Sequence, residues 1–252
     1  MQFGAIIIGD EILSGKRQDK HMAKAIAMLG ERGLQLAWGE YLGDEPALIT
    51  STLKRTLAAE DAVFCFGGIG ATPDDHTRAC AAAAAGVELT LHPDAETEIR
   101  ARFGGEVTPR RLMMGELPVG SEIIPNPHNR IPGFSLGRHH FLPGFPEMAW
   151  PMMAWALDTR YAELHAPGQI DERSIIVRGA GESQLIDLMQ LCLARHPDLK
   201  VFSLPRMTPE RHVELGVRGN VNEVQTAIGV LQQGVSELGF SWNEPPAAAP
   251  RG

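Results

Sequence analysis

The chain holds little cysteine: Cys65, Cys80 and Cys192 are the three in 252 residues. They are widely spaced, odd in number and never in a Cys-x-x-Cys pair, which argues against a disulfide framework or a zinc knuckle. Each lies among apolar or alanine-rich neighbours and is expected to pack as a small hydrophobe, which fits a reducing cytoplasm. No apolar run reaches the ~20 residues needed to span a bilayer. No basic segment followed by a long apolar stretch opens the chain, so no signal peptide is expected. Positive charge is also scarce, with 23 basic against 31 acidic residues and a net charge of −8. A general nucleic-acid binder usually carries a basic face, so none is expected as partner. There is no internal repeat. Apolar content, at 44%, is ample for a core in one large domain or two modest ones.

One stretch organises the rest. Ala62-Val63-Phe64-Cys65-Phe66 is a continuous apolar run, the pattern of a strand buried on both faces. Gly67-Gly68-Ile69-Gly70 then breaks it, so the backbone can turn sharply with nothing bulky in a ligand's way. A helix is expected to follow at once, with Thr72 as N-cap, Pro73 in the first position, and Asp74 and Asp75 in the first turn. A glycine-rich turn feeding a helix N-terminus offers free N–H groups to a phosphate. Two carboxylates beside a phosphate need a cation between them, which points to a hard divalent ion. The alternative is that Asp74 and Asp75 only complement the helix dipole.

In chain order, residues 3–9 read as a first buried strand opening into Asp10-Glu11-Ile12-Leu13-Ser14-Gly15. Carboxylates just past a strand's C-terminal end are where an α/β protein places ligand groups, unless they only line a solvated loop. A helix over 19–32 carries His21, expected at the surface. A strand over 34–42, then Gly43-Asp44, then a helix over 46–57 make Asp44 a further ligand-facing carboxylate or an N-cap. The helix after the glycines runs to Ala85 and closes at Gly86. The order β-α-β-α-β-α implies a parallel sheet with right-handed crossovers. Helices are expected over 93–103 and from Pro109, and strands over 122–124 and 139–142. Pro143-Gly144-Phe145-Pro146-Glu147-Met148 is again a turn opening a helix, which runs to about Tyr161 and carries Trp150 and Trp155. His139 and His140 are adjacent on a strand, point to opposite faces and cannot readily share one ion.

The pattern changes after a linker at 164–170. Strands over 174–177, 200–204 and 213–217 alternate with helices over 183–196 and 221–238, the outline of a small ferredoxin-like α+β domain. Leu185, Ile186, Met189 and Leu193 read as the apolar face of the first helix, and Pro205 and Pro209 as part of a loop. The expected division is an α/β domain at 1–163, the α+β domain at 171–243 and a disordered Pro/Ala-rich tail at 244–252.

Three motifs together resemble those of the CinA N-terminal (competence/damage-inducible protein A-like) family: Gly9-Asp10-Glu11-Ile12-Leu13-Ser14-Gly15, Gly67-Gly68-Ile69-Gly70-Ala71-Thr72-Pro73-Asp74-Asp75-His76-Thr77, and Leu142-Pro143-Gly144-Phe145-Pro146-Glu147-Met148. The resemblance covers nearly the whole chain. It implies the three-layer α/β/α molybdopterin-binding fold of the MoaB and Mog proteins, followed by the small α+β domain. Longer CinA proteins continue into a nicotinamide-nucleotide amidase domain, and that activity is not expected here.

The resemblance further implies divalent-metal-dependent hydrolysis of the pyrophosphate in ADP-ribose or a related dinucleotide, with Mg2+, Mn2+ or Co2+ as cofactor. A pterin or nucleotide is the expected partner, and a homo-oligomer the expected assembly. Asp75, Asp44 and Glu11 are the expected catalytic residues, with Glu11 as general base, and Asp10, Asp74 and Asp75 the expected metal ligands. Gly67, Gly68, Gly70, Thr72, Ser14, Pro143 and Gly144 are expected to hold the ligand. The alternatives are a non-catalytic molybdopterin or nucleotide carrier and a molybdopterin adenylyltransferase.

Three positions depart from the family pattern. Ala71 stands where proline is usual, Asp19-Lys20-His21 replaces Asp-x-Asn, and Asn129-Arg130-Ile131-Pro132-Gly133-Phe134 replaces Gly-Thr-Ala-Pro-Gly-Phe. Arg130 offers a phosphate its planar fork of donors.

Overall fold

The computed structural model describes residues 1–207 and 211–246. They form two compact units, divided between His165 and Ala166. The first contains, in order, β1 (Phe3–Ile8), α1 (Asp10–Leu13), α2 (His21–Glu31), β2 (Leu36–Leu42), α3 (Pro46–Leu57), β3 (Ala62–Phe66), α4 (Thr77–Ala85), β4 (Leu89–Leu91), α5 (Pro93–Phe103), α6 (Pro109–Leu112), β5 (Glu116–Pro118), β6 (Glu122–Ile124), β7 (Gly133–Leu136), β8 (His139–Leu142) and α7 (Pro146–Arg160).

Six of these strands make one sheet in the order β2-β1-β3-β8-β7-β6. The first four run parallel, and β7 and β6 are antiparallel additions at one edge. Every residue of β1 and β3 is buried, because helices cover both faces. Phe3, Ala5, Ile7, Phe64 and Phe66 pack in one core with Met28 and Leu29 of α2 and Met152 and Leu157 of α7. Ile6, Ile8, Val63 and Cys65 pack in the other with Ile49 and Leu53 of α3 and Cys80 and Ala81 of α4. This is a three-layer α/β/α domain whose strands read as unbroken apolar runs, as doubly covered sheets require.

The order of the parallel strands fixes where a ligand can enter. β1 is flanked by β2 on one side and β3 on the other, so the connection from β1 to β2 runs one way along the sheet and the connection from β2 to β3 runs back past β1 the other way. Such a switch point opens a crevice at the strands' C-terminal ends. The ends are level there: Ile8 pairs with Leu42, Ile7 with Phe66 and Phe66 with Leu142.

The second unit holds β9 (Ile170–Arg178), α8 (Ile186–Arg195), β10 (Lys200–Arg206), β11 (His212–Asn220), α9 (Val221–Glu237) and β12 (Ser241–Asn243). Its sheet is antiparallel in the order β10-β11-β9-β12, the ferredoxin-like arrangement. Among the described residues, no helix is long and apolar enough to cross a membrane.

Several sequence expectations are corrected. The helix after the glycines begins at Thr77, not Pro73, so Thr72 is not its N-cap and Asp74 and Asp75 lie in the preceding turns. His21 is buried, 5% exposed, because its ring stacks on Phe66 at 4.6 Å. Leu185, Leu188 and Cys192 are the buried side of α8, while Ile186 and Leu193 are exposed. The helix starts three residues later than expected, after a 3-10 turn at Glu182–Gln184 that changes its phase. Pro205 lies inside β10, an edge strand, where a missing N–H is tolerated. Pro209 and residues 247–252 of the expected tail lie outside the described residues. His139 and His140 do diverge: His139 Nε2 meets Thr56 Oγ1 at 2.9 Å, and His140 lies between Ser135 Oγ and Tyr161 Oη at 2.8 and 2.7 Å. All three cysteines are free and buried.

Candidate functional site

The glycine turn after β3 is held by the two residues that begin α4. Thr77 Oγ1 donates to Gly67 O at 3.0 Å and Thr77 N to Gly68 O at 2.9 Å. Arg78 Nε donates to Ile69 O at 3.1 Å and Arg78 Nη2 to Gly70 O at 2.7 Å. Four successive carbonyls are thereby taken. Among the described residues, no chain group accepts the N–H of Gly68, Ile69 or Gly70, so these donors are available to an anion. The first N–H of α4 is already spent on Gly68 O, so the unpaired donors lie in the turn itself and not at a helix terminus near Pro73.

Arg78 is 6% exposed, and burial lowers its pKa. Its guanidinium also bonds the carbonyls of Met113 and Glu116, which ties the turn to the segment between α6 and β5. Glycine is required at position 67, where φ is +105° and a Cβ would lie 2.2 Å from Ile8 O.

One oxygen of Asp75 is engaged within its own turn. Its Oδ2 accepts from Thr72 N at 2.7 Å and from Thr72 Oγ1, closing the turn on itself. Asp10 and Asp44 bond each other's backbone across the ends of β1 and β2, Asp10 N to Asp44 Oδ2 at 2.8 Å and Asp44 N to Asp10 Oδ1 at 3.1 Å. The Asp44 carboxyl is raised above its ordinary value, first by burial and then by the negative charges of Asp10, Glu11 and Asp74. Among the described residues, no three His, Cys, Asp or Glu side chains are grouped so as to hold a metal ion. Asp10, Asp74 and Asp75 are thus not a preformed three-carboxylate cage, because Asp10 and Asp75 are turned onto backbone N–H groups.

These elements surround a cleft of about 440 Å3. Glu11, Asp44, Gly67, Gly68, Gly70, Thr72, Asp74, Asp75, Pro143 and Gly144 all line it. Asp10 stands behind, through its bond to Asp44, and Ser14 does not line the cleft, because it closes α1 with its N–H on Asp10 O. Arg130 is also turned away: it sits at φ 64° and its guanidinium pairs with both oxygens of Glu98, at 2.9 and 3.1 Å. The loop before it is shaped by amides instead. Asn126 Nδ2 donates to Asn129 Oδ1 at 2.8 Å and to Ile131 O at 2.9 Å. Asn126, Asn129 and Ile131 line the cleft.

Arg17 was not singled out by the sequence, yet it is the one cation lining this cleft among the described residues. Its only signal was a basic pair, Lys16-Arg17, just after the turn that follows β1.

Residues 4–162 match the family described as probable molybdopterin binding domain. The chain belongs to this family. A CinA-like protein of Geobacter metallireducens is 36% identical over 157 residues, which are 59% of this chain and 38% of that protein. A CinA-like protein of Citrifermentans bemidjiense is 29% identical over 251 residues, 96% of this chain and 60% of that protein. The crystal structure of CinA from Thermoplasma acidophilum, described as of unknown function, matches with a TM-score of 0.58 at 29% identity, over 64% of this chain and 98% of that one. The chain therefore spans between about two fifths and three fifths of the length of these two curated CinA-like relatives. In this member of the molybdopterin-binding family, the cleft lies wholly within the matched domain.

Proposed function

We infer that this chain is a divalent-metal-dependent hydrolase of the diphosphate bond in a nucleotide of the ADP-ribose class. The observation that carries this reading is the cleft's charge: Glu11, Asp44, Asp74 and Asp75 line it together with a turn of unpaired glycine-rich N–H groups. Carboxylates and anion-binding donors share one site productively only when a cation and a phosphate enter together. A Mg2+-type ion is commonly held by one or two carboxylates, with waters and substrate phosphates completing its shell. The absence of a three-carboxylate cage is compatible with that pattern.

Asp44 and Asp74 are the residues that would hold the ion, with Asp10 fixing Asp44 in place. When bound, Mg2+, Mn2+ or Co2+ supplies charge neutralisation at the phosphoryl oxygens and acidifies a coordinated water. The N–H groups of Gly68, Ile69 and Gly70 bind a phosphate. Asp75 keeps the turn closed through Thr72. Glu11, exposed at the cleft edge, takes the proton from the attacking water.

A second reading, a pterin or nucleotide carrier without turnover, is favoured by the commitment of Asp10 and Asp75 to backbone groups. Thermal-shift titration with ADP-ribose and Mn2+, followed by analysis of the same samples for AMP, tests the two. Stabilisation that needs the metal and yields AMP supports hydrolysis. Stabilisation without product supports the carrier, and no stabilisation by any nucleotide or pterin overturns both.

A further inference from the structure

The loop that departs from the family pattern, Asn129-Arg130-Ile131, puts a side-chain amide where that pattern has glycine. Its hydrogen bonds can be followed atom by atom. An amide side chain has two N–H donors and an oxygen with two lone pairs. Asn126 is buried and spends both donors on this loop: Nδ2 donates to Asn129 Oδ1 at 2.8 Å and to Ile131 O at 2.9 Å. Its Oδ1 accepts from His128 N at 3.0 Å. Asn129 Oδ1 is filled as well, by Asn126 Nδ2 and by Ile131 N at 3.0 Å. Two donors on that oxygen fix which end of the amide is which.

The nitrogen end of Asn129 is the end with capacity to spare. One hydrogen of Nδ2 meets Met148 Sδ at 3.1 Å, a weak acceptor. Among the described residues nothing accepts the other, and Asn129 is half-buried on the wall of the cleft. Its neighbours there are uncharged. Met114, Ile131, Pro132 and Met148 line the same cleft as the four carboxylates, and Ile131 and Met148 touch Asn129 directly. A neutral donor among apolar side chains suits a flat heterocycle better than a phosphate, which charged groups hold more strongly. Methionine sulfur packs favourably on aromatic rings, and one fixed polar group in an apolar wall sets a ligand's orientation.

We propose that Asn129 is a specificity-determining residue of this cleft, its free Nδ2 hydrogen donated to a ring nitrogen or carbonyl oxygen of a nucleotide's base packed on Ile131 and Met148. Asn126 is the positioning residue behind it. Because Oδ1 is spent on the loop, the amide reads an acceptor on the base and not a donor. A ligand without a base leaves that donor unpaired, so a bare sugar phosphate is a poor ligand. A chain with glycine at this position has no such donor to offer. This inference rests on the phosphate reading of the glycine turn.

Calorimetric titration with AMP and with ribose 5-phosphate, both with Mg2+, tests it. The wild type is expected to bind AMP at least about tenfold more tightly than ribose 5-phosphate. Asn129→Asp keeps an oxygen for Asn126 Nδ2 and Ile131 N but puts an acceptor where the free donor was. It is expected to lower AMP affinity by about tenfold or more, while its added charge lowers ribose 5-phosphate affinity by less than about threefold. Asn129→Gly adds no charge and is expected to remove most of the preference for AMP, with ribose 5-phosphate affinity within about twofold. Equal affinity of the wild type for the two ligands overturns the proposal. So does an equal loss for both ligands in the variants, which marks a loop-shaping role only, or no loss at all. Failure of the wild type to bind either ligand overturns the phosphate reading itself, and the proposal with it.

Discussion

Arg78 donates to Gly70 O at 2.7 Å from a buried position eight residues along the chain. With Thr77 it fixes every carbonyl from Gly67 to Gly70 and leaves the donors of Gly68, Ile69 and Gly70 on offer. A buried guanidinium satisfied only by carbonyls is costly to replace. Arg78→Met leaves several buried acceptors unpaired and is expected to cost about 3 kcal/mol, with nucleotide binding lost. Arg78→Lys reaches fewer carbonyls and should fall between the two. Urea unfolding with nucleotide titration checks this, and an Arg78→Met protein with wild-type stability and affinity would contradict the clamp.

Asp75 and Asp44 are expected to respond differently to loss of charge. Asp75→Asn keeps an oxygen that can accept from Thr72 N, so the turn should survive and activity should fall less than about tenfold. Asp75→Ala opens the turn and removes activity. Asp44→Asn keeps the bond to Asp10 N yet loses the charge that would hold the cation, so metal-dependent stabilisation should vanish while the fold persists. Thermal shifts with and without Mn2+ read all three variants. Full activity in Asp75→Ala would remove the turn from the site.

Most of the architecture is legible in the sequence because local chemistry agrees with it. Pro46, Pro93 and Pro146 each open the helix their position suggests, and the apolar runs of β1 and β3 are the buried centre of the sheet. What is not legible depends on partners far along the chain. Nothing local says that His21 will stack on Phe66, that Arg130 will face Glu98, or that Arg78 will reach back to the glycine turn. β7 is missed because Gly133-Phe134-Ser135-Leu136 is too short to show a period and is defined only by its pairing with β6 and β8. The candidate site was legible as motifs, and its carboxylate roles were not, because Asp10, Asp44 and Asp75 are distinguished only by which N–H each one accepts.

Stability should fall on mild acidification. Burial lowers the pKa of His21, of His139 to about 4 and of His140 to about 3. These groups stay neutral in the fold while the unfolded chain protonates them below its ordinary value near 6.5. Their contribution is complete above that value and is lost as pH falls toward the folded values, at a slope of about 1.4 kcal/mol per pH unit for each histidine. Urea unfolding at pH 7.5 and pH 5.0 measures it, and a flat profile would contradict the buried neutral state.

Arg130→Gly should be nearly silent. It relieves a left-handed backbone, worth roughly 1 kcal/mol, and gives up an exposed ion pair with Glu98 worth roughly 0–1 kcal/mol. Unchanged nucleotide affinity is expected, since the side chain does not line the cleft. A loss of affinity above about tenfold, measured by calorimetry, would return Arg130 to the site.

The most direct test of the central claim is release of AMP from ADP-ribose, followed with Mg2+, Mn2+ or Co2+ and with EDTA, in the wild type and in Asp44→Asn. The account predicts AMP and ribose 5-phosphate in equal amounts from the wild type, abolished by EDTA and by the substitution. Absence of product with every metal, or product that persists in EDTA or in Asp44→Asn, would contradict it.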